Sequence, residues 1–170
     1  FRLADNLYPL LSTPFGVDPE YRLKILGGSL YEYHYQPRLR SKFDWVSHER
    51  HREDRKSGVL KPVKKRQTEI DNTARFILED CHNREIGCSS FDTMCAAIAL
   101  ELNISFVTDD LDLLFIAREY DVQCISSLEL MHLMFQANRI DMKIIQDTVF
   151  MWSYLDDLPG NFHRQFLNLF

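Results

Sequence analysis

Asp5 closes a short apolar stretch at residues 1–4, Asp92 opens an alanine-rich segment, and Asp109 and Asp110 directly follow the apolar run 104–108. If those apolar runs are parallel strands and the segments between them helices, all four acids stand beyond the carboxyl ends of the strands. That edge is where sites form in open α/β sheets. Carboxylates gathered there repel one another unless a cation joins them, and hard oxygen ligands suit Mg²⁺ or Mn²⁺. The chemistry such a centre performs is metal-assisted hydrolysis of a phosphodiester by an activated water. No Ser-His-Asp or Cys-His arrangement offers a competing nucleophile. Each acid also has a plainer use, because Asp92 can cap its helix and Asp109, Asp110 and Asp112 are first-turn acids that a helix dipole favours.

A carboxylate centre repels a polyphosphate unless basic surface lies nearby. Between Arg38 and Arg66 the chain carries eleven Lys or Arg against four acids, a local +7 in a molecule of net charge −5. Arg38, Arg40, Lys42, Arg50, Arg52, Lys61, Lys64, Lys65 and Arg66 are the candidates for phosphate contact, with Tyr35, Phe43 or Trp45 available to stack on an unpaired base. RNA is therefore the expected ligand. Alternatively, this is a solvated helical face in which Glu49, Glu53 and Asp54 pair with arginines one turn away. His48 and His51 share a helical spacing but have no third metal ligand beside them.

The elements that must position these groups follow from periodicity and punctuation. The opening stretch reads as a strand ending on Asp5. A second apolar run, 23–26, ends at Gly27-Gly28, and Ser29 caps a helix that halts at Pro37. Residues 38–66 read as an exposed, basic, partly helical insertion. Ile70, Ala74, Ile77 and Leu78 give 68–81 one apolar helical face. Helix over 92–102, strand over 104–108, helix over 110–120, strand over 122–125 and helix over 127–138 follow in alternation. Residues 140–170 form a helical, aromatic tail broken at Pro159-Gly160. The alternation predicts a single α/β domain spanning 1–170, with a central, mainly parallel sheet between helical layers.

A chain that is 45% hydrophobic and 26% charged has the balance of a folded globular protein rather than a disordered one. No apolar run approaches the roughly 20 residues of a membrane span, and no basic-then-apolar leader precedes the fold, so a cytoplasmic location is expected. Cys81, Cys88, Cys95 and Cys124 lack zinc-site spacing and read as reduced packing thiols.

The segment Ser90-Phe91-Asp92-Thr93-Met94-Cys95-Ala96-Ala97-Ile98-Ala99-Leu100, followed by Phe106-Val107-Thr108-Asp109-Asp110, resembles the second half of PIN-domain nucleases, the fold of the VapC-type toxin ribonucleases. Phe1-Arg2-Leu3-Ala4-Asp5-Asn6 resembles that family's opening strand. The likeness implies a three-layer α/β sandwich and a metal cluster of Asp5, Glu32, Asp92 and Asp110, with Glu32 matched through its Leu30-Tyr31-Glu32 context. It further implies Asn6, Ser90, Thr108, Asp109 and Asp112 as supporting residues, Thr108 orienting Asp110 through its hydroxyl. The implied activity is Mg²⁺- or Mn²⁺-dependent cleavage of RNA, with an antitoxin protein and a homodimer as possible partners. The competing expectations are a non-cleaving scaffold that binds RNA or protein, and a DNA-directed or structure-specific nuclease.

Overall fold

The computed structural model describes Leu3, residues 5–62 and residues 64–170, with Glu32 described by its backbone alone. The elements run β1 (Ile25–Leu26), α1 (Gly28–Tyr35), α2 (Pro37–Lys42), a 3-10 turn (Asp44–Ser47), α3 (Glu49–Gly58), β2 (Val59–Leu60), α4 (Lys64–Asn83), α5 (Ser90–Leu102), β3 (Phe106–Val107), α6 (Leu111–Glu119), β4 (Cys124–Ile125), α7 (Ser127–Gln136), α8 (Met142–Tyr154) and α9 (Phe162–Leu169).

The expected α/β sandwich around a central, mainly parallel sheet is overturned. Among the described residues strand is confined to two separate parallel pairs, β1 with β2 and β3 with β4, each two residues long. The apolar runs 23–26, 104–108 and 122–125 do hold strands, yet each ladder closes on one partner and goes no further. Two-stranded pairs of this length are marginal alone and survive by packing against helices. The expected opening strand falls largely on Phe1, Arg2 and Ala4, which lie outside the described residues. Leu7 donates to the Leu3 carbonyl at 3.1 Å, so Asp5 sits in a turn rather than at a strand end. Among the described residues no helix is long and apolar enough to cross a membrane.

The chain divides into two compact units, one of Phe1–Leu60 with Leu128–Phe170 and one of Lys61–Ser127. In the first, Pro37 at the start of α2 holds Gln36 extended and so ends α1. The segment expected as an exposed insertion supplies much of this unit's interior instead. Phe43 and Val46 join Tyr33 in a buried cluster flanked by Leu30, Leu39 and Trp45. Helix α3 buries His51, Asp54 and Gly58. Gly58 is required there, because a Cβ at that position would stand 2.4 Å from Leu11 Cβ. The aromatic tail packs within the same unit: Phe162, Phe166 and Phe170 stack in series along α9, and Phe170 meets His132 and Phe135 of α7 edge-on.

In the second unit α4 and α5 form the main helical pair. Ile70, Ala74, Ile77 and Cys81 recur along one face of α4, and Ala96, Ala97 and Ala99 of α5 permit close backbone approach. Arg66, early in α4, donates to the carbonyl of Glu101, late in α5, and Thr73 bonds the Glu101 carboxylate, so the two helices are antiparallel. Asn103 ends α5 in the left-handed conformation with φ 50°, and its N–H reaches the carbonyls of Ala99 and Leu100. Ala99, Ala117 and Val122, with Phe106, Tyr120 and Cys124 around them, hold the β3–α6–β4 crossover together.

The Tyr120 hydroxyl donates to Asp80 Oδ2 at 3.1 Å. Burial, followed by that bond to a carboxylate, pushes the phenol up from 10.0 to about 12. A folded pKa above the unfolded one contributes stability that is complete below the unfolded value and is lost as pH rises through the folded value. Denaturant titrations should therefore show stability falling between about pH 10 and about pH 12. Tyr120→Phe should remove this phase, and an unchanged alkaline slope in that variant would show that the phenol is not its source.

Candidate functional site

The carboxylates of the second unit gather where helix N-termini meet the end of β3. The loop that enters α5 meets the first turn of α6, which begins just after β3. Ser89 caps α5 and Asp92 completes a capping box. Asp92 Oδ2 accepts from the Ser89 N–H at 2.9 Å and from its hydroxyl at 2.6 Å, while Ser89 Oγ accepts from the Asp92 N–H. Asp110 caps α6, its Oδ1 accepting from the Leu113 N–H at 2.9 Å. Thr108 Oγ1 accepts from the Asp110 N–H at 3.1 Å, so this hydroxyl fixes the backbone of the acid.

Asp112, in the first turn of α6, lies against the loop that enters α5: a Cβ on Gly87 would stand 2.9 Å from Asp112 Oδ2. Beside it, the Cys88 thiol is pushed up to about 12, first by burial, then by hydrogen bonding and proximity to Cys81, and then by the charges of Asp92 and Asp112. Both carboxylates therefore act on one thiol, which brings the first turns of α5 and α6 to the same locus. Among the described residues none of Asp92, Asp110 and Asp112 has an ion-pair partner. This distinguishes them from Asp5, Asp80 and Asp157, which pair with Arg50, Arg84 and Lys42. Asp92 Oδ1 and Asp110 Oδ2 accept no hydrogen bond from a described residue.

Asp109 has a different job. Its two oxygens accept from the Ser127 N–H at 2.9 Å and the Ser127 hydroxyl at 2.6 Å, closing the end of β3 onto the residue that follows β4. Ser90 opens α5, and its carbonyl accepts from the Thr93 hydroxyl.

The remaining acids of the expected cluster belong to the first unit. Asp5 Oδ1 accepts from Arg50 Nη2 at 2.7 Å and stands 3.1 Å from His51 Nε2. Arg50 also lies over the Tyr8 ring, and His51 sits between Tyr8 and Trp45. Burial, above all, pushes the His51 imidazole down, and the Arg50 and Arg55 charges add to this against the opposing pull of Asp5. A neutral His51 presents one nitrogen to both Arg50 Nε and Asp5: unprotonated it accepts from Arg50, protonated it donates to Asp5, so it serves only one of them at a time. Asn6 follows Asp5 in the same turn. The Glu32 side chain lies outside the described residues. Among those residues no three His, Cys, Asp or Glu stand together as a group that could hold a metal ion.

The basic candidates divide by what they touch. Lys42, Arg50 and Arg52 are engaged by Asp157, Asp5 and Glu49. Arg66 is held by Glu101 and Glu69. Arg38 and Arg40 on α2, and Lys61, Lys64 and Lys65 around the start of α4, are exposed. Sequence reasoning overlooked Arg55, which the structure half-buries one turn after Arg52. In the sequence Arg55 is one of eleven basic residues between Arg38 and Arg66, with nothing to mark it as partly buried.

No family model, curated protein or solved structure matches this chain.

Proposed function

We propose that the chain is a divalent-metal-dependent endoribonuclease whose metal-binding carboxylates include Asp92 and Asp110. One observation carries the reading. Each acid uses a single oxygen in capping its own helix, and among the described residues the other oxygen accepts no hydrogen bond and no cation neutralises either acid. Capping fixes the orientation of each carboxylate in advance, which is what a ligand needs. Mg²⁺ fits such a donor set, since it is commonly held by one or two carboxylates with the balance of its shell supplied by water and substrate phosphate. A pair of acids therefore suffices, although no group of three is present among the described residues. Bound there, the ion would polarise the phosphate and lower the pKa of a water at the scissile bond. Asp112 adds negative charge to the locus, while the exposed Lys61, Lys64 and Lys65 of the same unit cluster with Arg66 at the other end of the antiparallel α4–α5 pair, where Arg66 meets Glu101. The PIN resemblance supports the same chemistry.

A specific observation favours a second reading. Both Asp92 and Asp110 already serve as helix caps, which is sufficient employment for a binding module that does not cut. Incubation of the whole chain with single-stranded RNA separates the two. Cleavage is expected with Mg²⁺ or Mn²⁺ and none with excess EDTA. Intact RNA under both conditions supports the module, and cleavage that survives EDTA refutes the metal mechanism.

A further inference from the structure

We propose that a cavity of the first unit binds a phosphate group, the terminal phosphate of an RNA strand. The cavity has a volume of about 300 Å³. Leu30, Tyr33 and Val46 make its apolar side, and His34, Ser47, Arg52 and Arg55 its polar side. It uses none of the carboxylates assigned to metal binding.

The arginines carry the argument. Arg55 is half-buried, yet among the described residues it has neither a hydrogen-bond nor an ion-pair partner. A guanidinium keeps its charge and offers five donors, so withdrawing it from water without an acceptor is costly. The acids nearest in sequence do not supply one. Asp54 is occupied by three backbone N–H groups of residues 10–12, and Glu49 pairs with Arg52 at the exposed rim. Burial disfavours the Arg55 charge and Arg52 disfavours it further, and these outweigh the opposing pull of Tyr33 and Asp54. Two like charges facing one cavity are relieved by an anion with several acceptor oxygens, and a phosphate matches the forked donors of arginine. His34 extends the donor set, while the Ser47 hydroxyl is committed to the Asp44 carbonyl at 2.8 Å and can only accept.

The neighbouring surface argues for a nucleic-acid bearer of that phosphate. On α1, the helix that supplies Leu30, Tyr33 and His34, the exposed rings of Tyr31 and Tyr35 lie with centroids 4.2 Å apart. Exposed paired aromatics of this kind are platforms for unpaired bases. The exposed Arg38 and Arg40 follow on α2, without partners among the described residues. The choice of RNA rests on the ribonuclease reading; the anion site stands without it.

Fluorescence anisotropy with a short single-stranded RNA, bearing a phosphate on either end or on neither, tests the proposal. The whole chain carrying Asp92→Asn is used so that the RNA is not consumed. One terminally phosphorylated form should bind at least about tenfold more tightly than the unphosphorylated strand. That preference should vanish in Arg55→Gln and shrink in Arg52→Gln, an exposed position that leaves folding intact. Equal affinity for all three RNAs, or a preference that survives both arginine changes, overturns the site. A nucleoside monophosphate that binds as tightly as the phosphorylated strand overturns the RNA assignment. Failure of the ribonuclease reading appears elsewhere, as RNA cleavage unaffected by Asp92→Asn, and leaves the end preference in place.

Discussion

Replacing Asp54 with alanine is expected to destabilise the protein by about 3 kcal/mol or more, measured as a shift in denaturant midpoint. Asp54 is only 6% exposed, and its carboxylate accepts from the backbone N–H groups of Leu10, Leu11 and Ser12 at 2.9, 3.0 and 2.8 Å. Truncation leaves three donors without their acceptor, of which the Leu10 N–H is the most deeply buried. Burial opposes ionisation of Asp54, but the bonds from Ser12, Leu11 and Leu10 outweigh it and hold the carboxyl below its ordinary 3.8. The sign follows from that direction. The contribution is present above the unfolded pKa and is lost as pH falls through the lower folded value. Asp54→Ala should thus cost most near neutrality and progressively less in acid below about pH 3.8. Gly58→Ala should damage the same joint from the other side, because its new methyl would meet Leu11. A loss under about 1 kcal/mol for Asp54→Ala would mean that water replaces the carboxylate and that this joint is not structural.

Asp110→Asn should lower the rate of RNA cleavage by about a hundredfold or more while leaving the melting temperature almost unchanged. The separation is the point of the substitution. Asparagine caps helices about as well as aspartate, so its side-chain oxygen can still accept from the Leu113 N–H. What it removes is the negative charge on the oxygen that has no partner among the described residues. Asp92→Asn should behave alike, since an amide oxygen can still accept from the Ser89 N–H. Asp109→Asn follows a different course, because its amide can accept from only one of the two Ser127 donors. It should cost stability more than chemistry. Equal cleavage by wild type and Asp110→Asn would leave this acid as a helix cap and nothing more.

Local features of the second unit were legible in the sequence, and long-range ones were not. Helices over 92–102 and 110–120 were readable from their acids and apolar spacing, and they form as α5 and α6 within two residues at each end. Beside their expected use as ligands, Asp92 was read as a helix cap and Asp110 as a first-turn acid; in the structure Ser89 is the cap and Asp92 closes its capping box, while Asp110 itself caps α6. The strands were placed correctly but overextended, because a short apolar run does not reveal how many neighbours will pair with it. That uncertainty produced the sandwich that the structure lacks.

The basic segment misled for a related reason. Its charge density concealed a buried histidine, a buried aspartate and an essential glycine, whose partners lie more than 40 residues away. Lys and Arg counts report the solvent side of α3 and are silent on the side that faces Leu10 and Leu11. Arg55 was missed for the same reason, since only the folded unit shows that it faces a cavity. Cys88 was read as a packing thiol but is only half-buried, and its position beside two acids emerges only when α5 and α6 begin at the same place.

The most direct test is binding of Mn²⁺ itself, followed by electron paramagnetic resonance in wild type and Asp110→Asn without RNA. The account predicts that wild type binds the ion and that Asp110→Asn weakens binding by at least about tenfold at an unchanged melting temperature. Equal Mn²⁺ affinity in the two proteins would contradict it.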